Sequence, residues 1–345
     1  MEGETFSEIG RIEAIRRLCE ESGLNTAENG NFEVAEPGVI DSWSRVFIEG
    51  IDFDLVYFPL RHLGYKCVTA VAGEAYAAFS RPRSLDVRIG ISAKLDFAQI
   101  RELWLGMSAA AKEHRFLSVS LDLVPSPNGL VISVSATGER KASLEKLRPK
   151  PKTKDIICVS GSLGAAYLGL SLLEKEKKNF EKTGKDSSQE NLSSYKMFVG
   201  SYLKPQIDAG VLDALEEDEM IPSKGILITR GLSDACKRLS RDTGLGVKIY
   251  ASMIPFEGNT FDLGKEMDID PISAAMNGGD DYKLLFVIPI LKAEKFRRDF
   301  QVFDVIGHLA LPEAGTVLVT PEGAEFPMKA QGWKEKDEDE EEEKD

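Results

Sequence analysis

The chain is poor in the residues that build metal centres and disulfide frameworks, with four cysteines and three histidines in 345 residues. Cys19, Cys67, Cys158 and Cys236 are scattered without a CxxC pair. Their spacing offers neither a zinc site nor a disulfide scaffold, and a reducing cytoplasm is the expected compartment. His62, His114 and His308 show no metal-ligand spacing and are expected to be structural or surface residues. Long apolar runs are missing as well. Leu284 to Leu291 is eight residues and contains Pro289, far short of a membrane span, so no membrane partner is expected. The opening residues Met1-Glu2-Gly3-Glu4 lack the basic-then-apolar layout of a signal peptide. Positive charge is also in deficit, 43 Lys and Arg against 57 Asp and Glu, for a net −14. The segment Lys334 to Asp345 carries nine acids and three lysines with nothing apolar to bury, and is expected to be a disordered, solvated tail. The rest of the chain is still acidic, which argues against a nucleic-acid partner.

What is present is an ordinary globular composition, 42% hydrophobic, in a chain too long for one compact core. Apolar residues at Ile9, Ile12, Ile15 and Leu18 predict one amphipathic helix over Phe6 to Ser22. Phe47 to Tyr57 reads as a strand, Leu63 to Ala78 as a helix rich in small residues, and Leu85 to Ile91 as a half-buried strand. Asp96-Phe97-Ala98-Gln99 opens the next helix as a capping box. Leu130 to Ser135 is a further strand. Gly138 to Asp155 is polar, basic and proline-bearing, which suits an interdomain connection. A second series of strands and helices follows from Ile156, with a charged, serine-rich insertion predicted at Lys175 to Ser194. The expected architecture is α+β in two domains, residues 1–148 and 149–333, with a tail at 334–345.

Asn277-Gly278-Gly279-Asp280-Asp281-Tyr282 leads into the apolar run from Leu284. Paired glycines permit a tight turn, and the carboxylates that follow suit a metal, a polar ligand or a cationic substrate; a solvated hairpin turn would look the same. Gly161 and Gly164 stand between a strand and a helix. Helix amides there could receive a phosphate, or the glycines could serve close packing.

Several segments taken together resemble the thiamine-monophosphate kinase family, of the aminoimidazole-ribonucleotide-synthetase-like superfamily. They are Ile48-Glu49-Gly50-Ile51-Asp52-Phe53, His62-Leu63-Gly64-Tyr65-Lys66, Val159-Ser160-Gly161-Ser162-Leu163-Gly164-Ala165-Ala166, Leu203-Lys204-Pro205, Asn277 to Phe286, Val305-Ile306-Gly307-His308 and Lys329-Ala330-Gln331-Gly332-Trp333, covering roughly residues 5 to 333. The resemblance implies two domains of that superfamily's fold, with the N-terminal sheet forming a dimer interface and a nucleotide and substrate cleft between the domains. It implies transfer of the ATP γ-phosphoryl group to thiamine monophosphate, with Mg²⁺ held by carboxylates. Substrate contact would fall to Asp52, Asp280, Asp281, Tyr282 and Trp333. Nucleotide or phosphate contact would fall to Arg45, Asp122, Arg148, Gly161, Gly164 and Arg230, and metal contact to Glu74 and Asp122. Trp333 could instead close the edge of the core, and Arg148 could be a linker arginine.

The metal-binding motifs of that family are eroded here. No Gly-Asp-Asp loop occurs at Asn29-Gly30-Asn31-Phe32-Glu33-Val34. Arg45 stands at an aspartate position, and Asp52 at a histidine position. Val71-Ala72-Gly73-Glu74 keeps one acid, and Ser120-Leu121-Asp122-Leu123 has lost both glycines. Leu227-Ile228-Thr229-Arg230-Gly231 has lost both aspartates. Arginine has no lone pair for Mg²⁺. Arg45 and Arg230 could fork onto phosphate oxygens, or face solvent, or pair with acids such as Asp122 and Glu74. The expectation is a catalytically impaired homologue that binds a thiamine phosphate, or another phosphorylated small molecule, in a binding or regulatory role. It would act as a homodimer or as a heterodimer with a paralogue. An active kinase with a rebuilt site and a structural subunit of such a heterodimer are the alternatives.

Overall fold

The computed structural model describes residues 6–23, 38–183 and 194–333. The acidic tail at 334–345, the Asn29 to Val34 segment and residues 184–193 of the serine-rich insertion lie outside them. Two sheets organise the described chain. The first takes β1 (Gly38–Ile48), β2 (Arg81–Ser92), β3 (Ser118–Ser126) and β4 (Val131–Lys141) in the order β1-β4-β2-β3. Only β2 and β3 run parallel, because a helix connects them across one face. The second sheet takes β5 (Ile156–Val159), β6 (Lys224–Ile228), β7 (Gly246–Tyr250), β8 (Lys283–Ile288), β9 (Asp304–Ala310), β10 (Thr316–Val319) and β11 (Glu325–Pro327) in the order β11-β10-β7-β9-β5-β8-β6. The mixed α and β architecture of the predicted fold class is present.

Local chemistry sets several helix ends. The predicted capping box at Asp96 forms, with the Gln99 amide donating to Asp96 at 2.8 Å and the Asp96 amide donating back to Gln99 at 3.0 Å. The single helix predicted at the N-terminus is two, α1 (Phe6–Ile9) and α2 (Arg11–Ser22), because Gly10 adopts φ +80. The strand predicted over Phe47 to Tyr57 ends at Ile48. There the Asp52 carboxylate accepts the Ile48 N–H at 2.8 Å and folds the chain into a turn. The predicted connection begins as the end of β4, continues as a helix over Ala142–Leu147, and runs extended only from Arg148. The insertion predicted from Lys175 is helical as far as Thr183, continuing the helix that starts at Ala165.

One helix carries much of the assembly. α3 (Leu60–Ala77) lies on the inner face of the first sheet beside α4 (Phe97–Glu113). The two helices meet at glycines: a Cβ at Gly64 would overlap the Leu103 carbonyl, and one at Gly106 the Arg61 carbonyl. Its opposite side packs on β6, where Gly73 meets the side chains of Ile207 and Leu227. A continuous apolar cluster therefore runs from Val87 and Val134 through Leu63 and Val71 to Leu227, Leu284 and Phe286. A second cluster, with Ile157, Ile249, Leu285 and Val287, fills the far face of the second sheet. No described helix is long and apolar enough to cross a membrane.

Candidate functional site

The end of β1, α3 and the Gly-Gly-Asp-Asp segment converge on a cavity of about 550 Å³. Arg45, Asp52, Lys66, Asp280 and Tyr282 line it, with Tyr57 and Tyr202 among its aromatic walls. Arg45, Asp52, Asp280 and Tyr282 are thus brought together. Arg45 takes no ion-pair partner among the described residues; its guanidinium lies 5.9 Å from the ring centroids of both Phe47 and Tyr282. Pairing with Asp122 or Glu74 does not occur.

Lys66 was not singled out from the sequence, yet it is the most constrained charge here. Its side chain is 2% exposed and its ammonium lies 3.2 Å from Asp280, 3.8 Å from the Tyr202 ring centroid and 5.3 Å from that of Phe58. Burial pushes this ammonium below the ordinary lysine range, and the Asp280 charge opposes that fall. A lysine on an otherwise apolar helix face was the available signal. The cavity's outer wall is held by the Lys177–Asp54 ion pair and by the Tyr57 hydroxyl donating to Glu174.

Asp280 and Tyr282 adopt φ of +62 and +50, a conformation that non-glycine residues rarely take. The Asp280 amide is anchored on the Thr229 carbonyl at 2.9 Å. The consequence is an alternation: Asp280 and Tyr282 line the first cavity, whereas Asp281 and Lys283 line another on the opposite side. The Tyr282 hydroxyl is buried without a hydrogen-bond partner among the described residues, so a ligand oxygen or nitrogen there would satisfy it.

The other predicted residues go elsewhere. Asp281 is 3% exposed and accepts the Gly164 amide at 2.9 Å and the Ala166 amide at 3.3 Å. Burial pushes its carboxyl up to about 7 despite these two donors. It caps the helix starting at Ala165, and with those amides taken the expectation of a phosphate on Gly164 is corrected. Gly161 borders Lys283, outside the first cavity. Arg148 lines a separate cavity of about 330 Å³ with Glu74, Arg140 and Arg238, and donates to the Ala78 carbonyl at 2.7 Å. Arg230 is exposed at the end of β6 and lines neither cavity. The Trp333 indole N–H donates to Asp234 at 2.9 Å, on the helix Leu232–Thr243, so the ring does not border the first cavity.

The residues present do not fit the Mg²⁺ site that the resemblance implied. Glu74 lies on α3, over the inner face of the first sheet. Asp122 pairs in register with Arg88 and points to the other face, since its neighbours Leu121 and Leu123 are the buried ones. A sheet separates the two carboxylates. Among the described residues no three His, Cys, Asp or Glu side chains gather to hold a cation.

No protein-family model matches the chain. The thiamine-monophosphate kinase of Bacillus subtilis is 23% identical over 267 residues, covering 77% of this chain and 75% of that protein. A solved structure of AaThiL complexed with AMPPCP and TMP superposes with a TM-score of 0.69 at 20% identity, covering 93% of this chain and 98% of that one. E. coli HypE superposes with a TM-score of 0.70 at 15% identity over 94% and 98%. The chain is similar in sequence to the thiamine-monophosphate kinases and shares their aminoimidazole-ribonucleotide-synthetase-like fold.

Proposed function

We propose that this relative of the thiamine-monophosphate kinases binds a thiamine phosphate in the first cavity and has lost the metal-dependent phosphoryl transfer expected of the family. The observation that carries the reading is the cavity's division of labour. Arg45 is a guanidinium with no ion-pair partner among the described residues, able to fork onto phosphate oxygens. Asp280 and Asp52, with the faces of Tyr202 and Tyr282, suit a cationic heteroaromatic ring. The dispersal of Glu74, Asp122 and Arg230 supports the loss of ATP-dependent turnover.

Calorimetric titration with thiamine monophosphate, thiamine diphosphate and ATP, each with and without Mg²⁺, tests this. Thiamine phosphate binding is expected to be independent of Mg²⁺ and to weaken about 10-fold in Arg45→Ala, the worth of one charge-assisted contact. Failure of both thiamine phosphates to bind would overturn the ligand assignment. Mg²⁺-dependent formation of thiamine diphosphate would instead favour the active kinase with a rebuilt site.

We also infer that the outer face of the first sheet meets a second copy or a paralogue. Its small polar side chains Ser42, Ser44, Ser133 and Ser135, with exposed Val46 and Val124, would let another sheet approach closely. Sedimentation equilibrium is expected to give twice the chain mass of 38.0 kDa. A monomer at tens of micromolar would rule out the second copy and leave a paralogue as the partner of this face.

A further inference from the structure

The cavity on the far side of the Gly-Gly-Asp-Asp segment has a volume of about 340 Å³, and three lysines line it: Lys196, Lys204 and Lys283. None of them takes an ion-pair partner among the described residues, although the whole chain carries a net −14. Acids outnumber bases in this protein, and several of its lysines pair with a carboxylate, as Lys177 does with Asp54 and Lys224 with Asp242. A bound anion at this cleft would supply the negative charge that the three ammonium groups lack among the described side chains.

The two acids at this cleft do little to cancel the charge. Glu257 accepts the Ser162 hydroxyl at 2.9 Å. Asp281 is turned inward onto the Gly164 and Ala166 amides. Two of the lysines are also held in place. The Lys204 ammonium sits 4.7 Å from the Tyr65 ring centroid. The Lys283 stem runs along Gly161, where a Cβ would lie 3.7 Å from its Cε. Lys196 and Lys204 are exposed and Lys283 half-buried, so an anion has access from solvent.

We propose that Lys196, Lys204 and Lys283 form an anion site that takes the phosphate group of a small molecule, distinct from the first cavity and not dependent on the ligand assigned to it. Ammonium groups are point charges that tolerate varied phosphate geometry, so the site recognises the phosphate rather than the group it is attached to. Inorganic phosphate and phenyl phosphate share that chemistry and separate free phosphate from a phosphate ester.

Titrating the full chain with each probe at low salt tests the site. The Lys196→Gln, Lys204→Gln, Lys283→Gln triple variant is expected to bind inorganic phosphate at least 10-fold more weakly, while the corresponding triple arginine variant stays within about 3-fold of native. Tighter binding of phenyl phosphate than of inorganic phosphate identifies an ester as the ligand, and equal binding identifies free phosphate. Native-like affinity in the glutamine variant overturns the proposal. So does loss of binding in the arginine variant with an unchanged thermal melt, because charge would then not be the determinant. Loss of phosphate binding in Arg45→Ala alone would move the phosphate to the first cavity and also overturn it.

Discussion

Asp280→Ala is expected to destabilise the chain by about 4 kcal/mol in urea unfolding at neutral pH, the usual cost of removing one partner from a buried ion pair. The asymmetry of the pair sets this. Lys66 is 2% exposed and Asp280 30% exposed, so removing the carboxylate strands a charge that water cannot reach. The reverse change should be mild. Lys66→Met places an apolar chain of similar length among Phe58, Tyr202 and Tyr282, and leaves Asp280 within reach of solvent. A loss of no more than about 1 kcal/mol is expected for Lys66→Met, and the double variant should recover most of the Asp280→Ala defect. The pH dependence has a definite sign. In Asp280→Ala the folded chain favours neutral Lys66 whereas the unfolded chain keeps it protonated, so stability rises with pH toward the ordinary lysine range. Additive losses in the double variant would show that the two side chains are not a coupled pair.

The second large effect concerns the neighbouring residue. The Asp281 carboxyl is pushed up to about 7 by burial, against an ordinary value of 3.8. Its protonated form is therefore favoured in the folded chain. The stability this contributes is full below about pH 4 and is lost as pH rises through about 7. Over that window the change amounts to about 4 kcal/mol. Asp281→Asn keeps an oxygen acceptor for the Gly164 or Ala166 amide but cannot titrate. The difference in unfolding free energy between native and Asp281→Asn should accordingly shift by about 4 kcal/mol, against the native chain, between pH 4 and pH 8. A difference that stays flat across this range would mean that the two amide donors outweigh burial.

These neighbouring aspartates also mark how far a sequence can be read. Asp96 and Gln99 were legible because a capping box is local, three residues closing on one another. Asp280 and Asp281 were visible as a pair, but their separation onto two cavities depends on positive-φ backbone at Asp280 and Tyr282 that no periodicity reveals. β1 was read too late for a related reason. Its inward positions alternate Asp41, Trp43, Arg45 and Phe47, and the polar members of that series face cavities, so the apolar alternation that announces a strand is broken. The predicted substrate and phosphate groups came from four corners of the chain. Arg45, Asp52, Asp280 and Tyr282 meet, whereas Arg148 and Glu74 fall in another cleft and Trp333 docks on Asp234. Distance in space between such motifs is set by how α3 is sandwiched, which is a tertiary fact.

That sandwich bears on how the chain is made. During synthesis the side of α3 that packs on the first sheet can be covered by residue 141, where β4 ends. Its other side waits for β6 at 224–228 and β8 at 283–288. Until Ile207 and then Leu227 emerge from the ribosome, the nascent chain presents Gly73 and the apolar residues around it to solvent. The first half therefore leaves the ribosome as an unfinished surface rather than a completed unit, and its natural hazard is capture by another nascent chain before its own second half arrives.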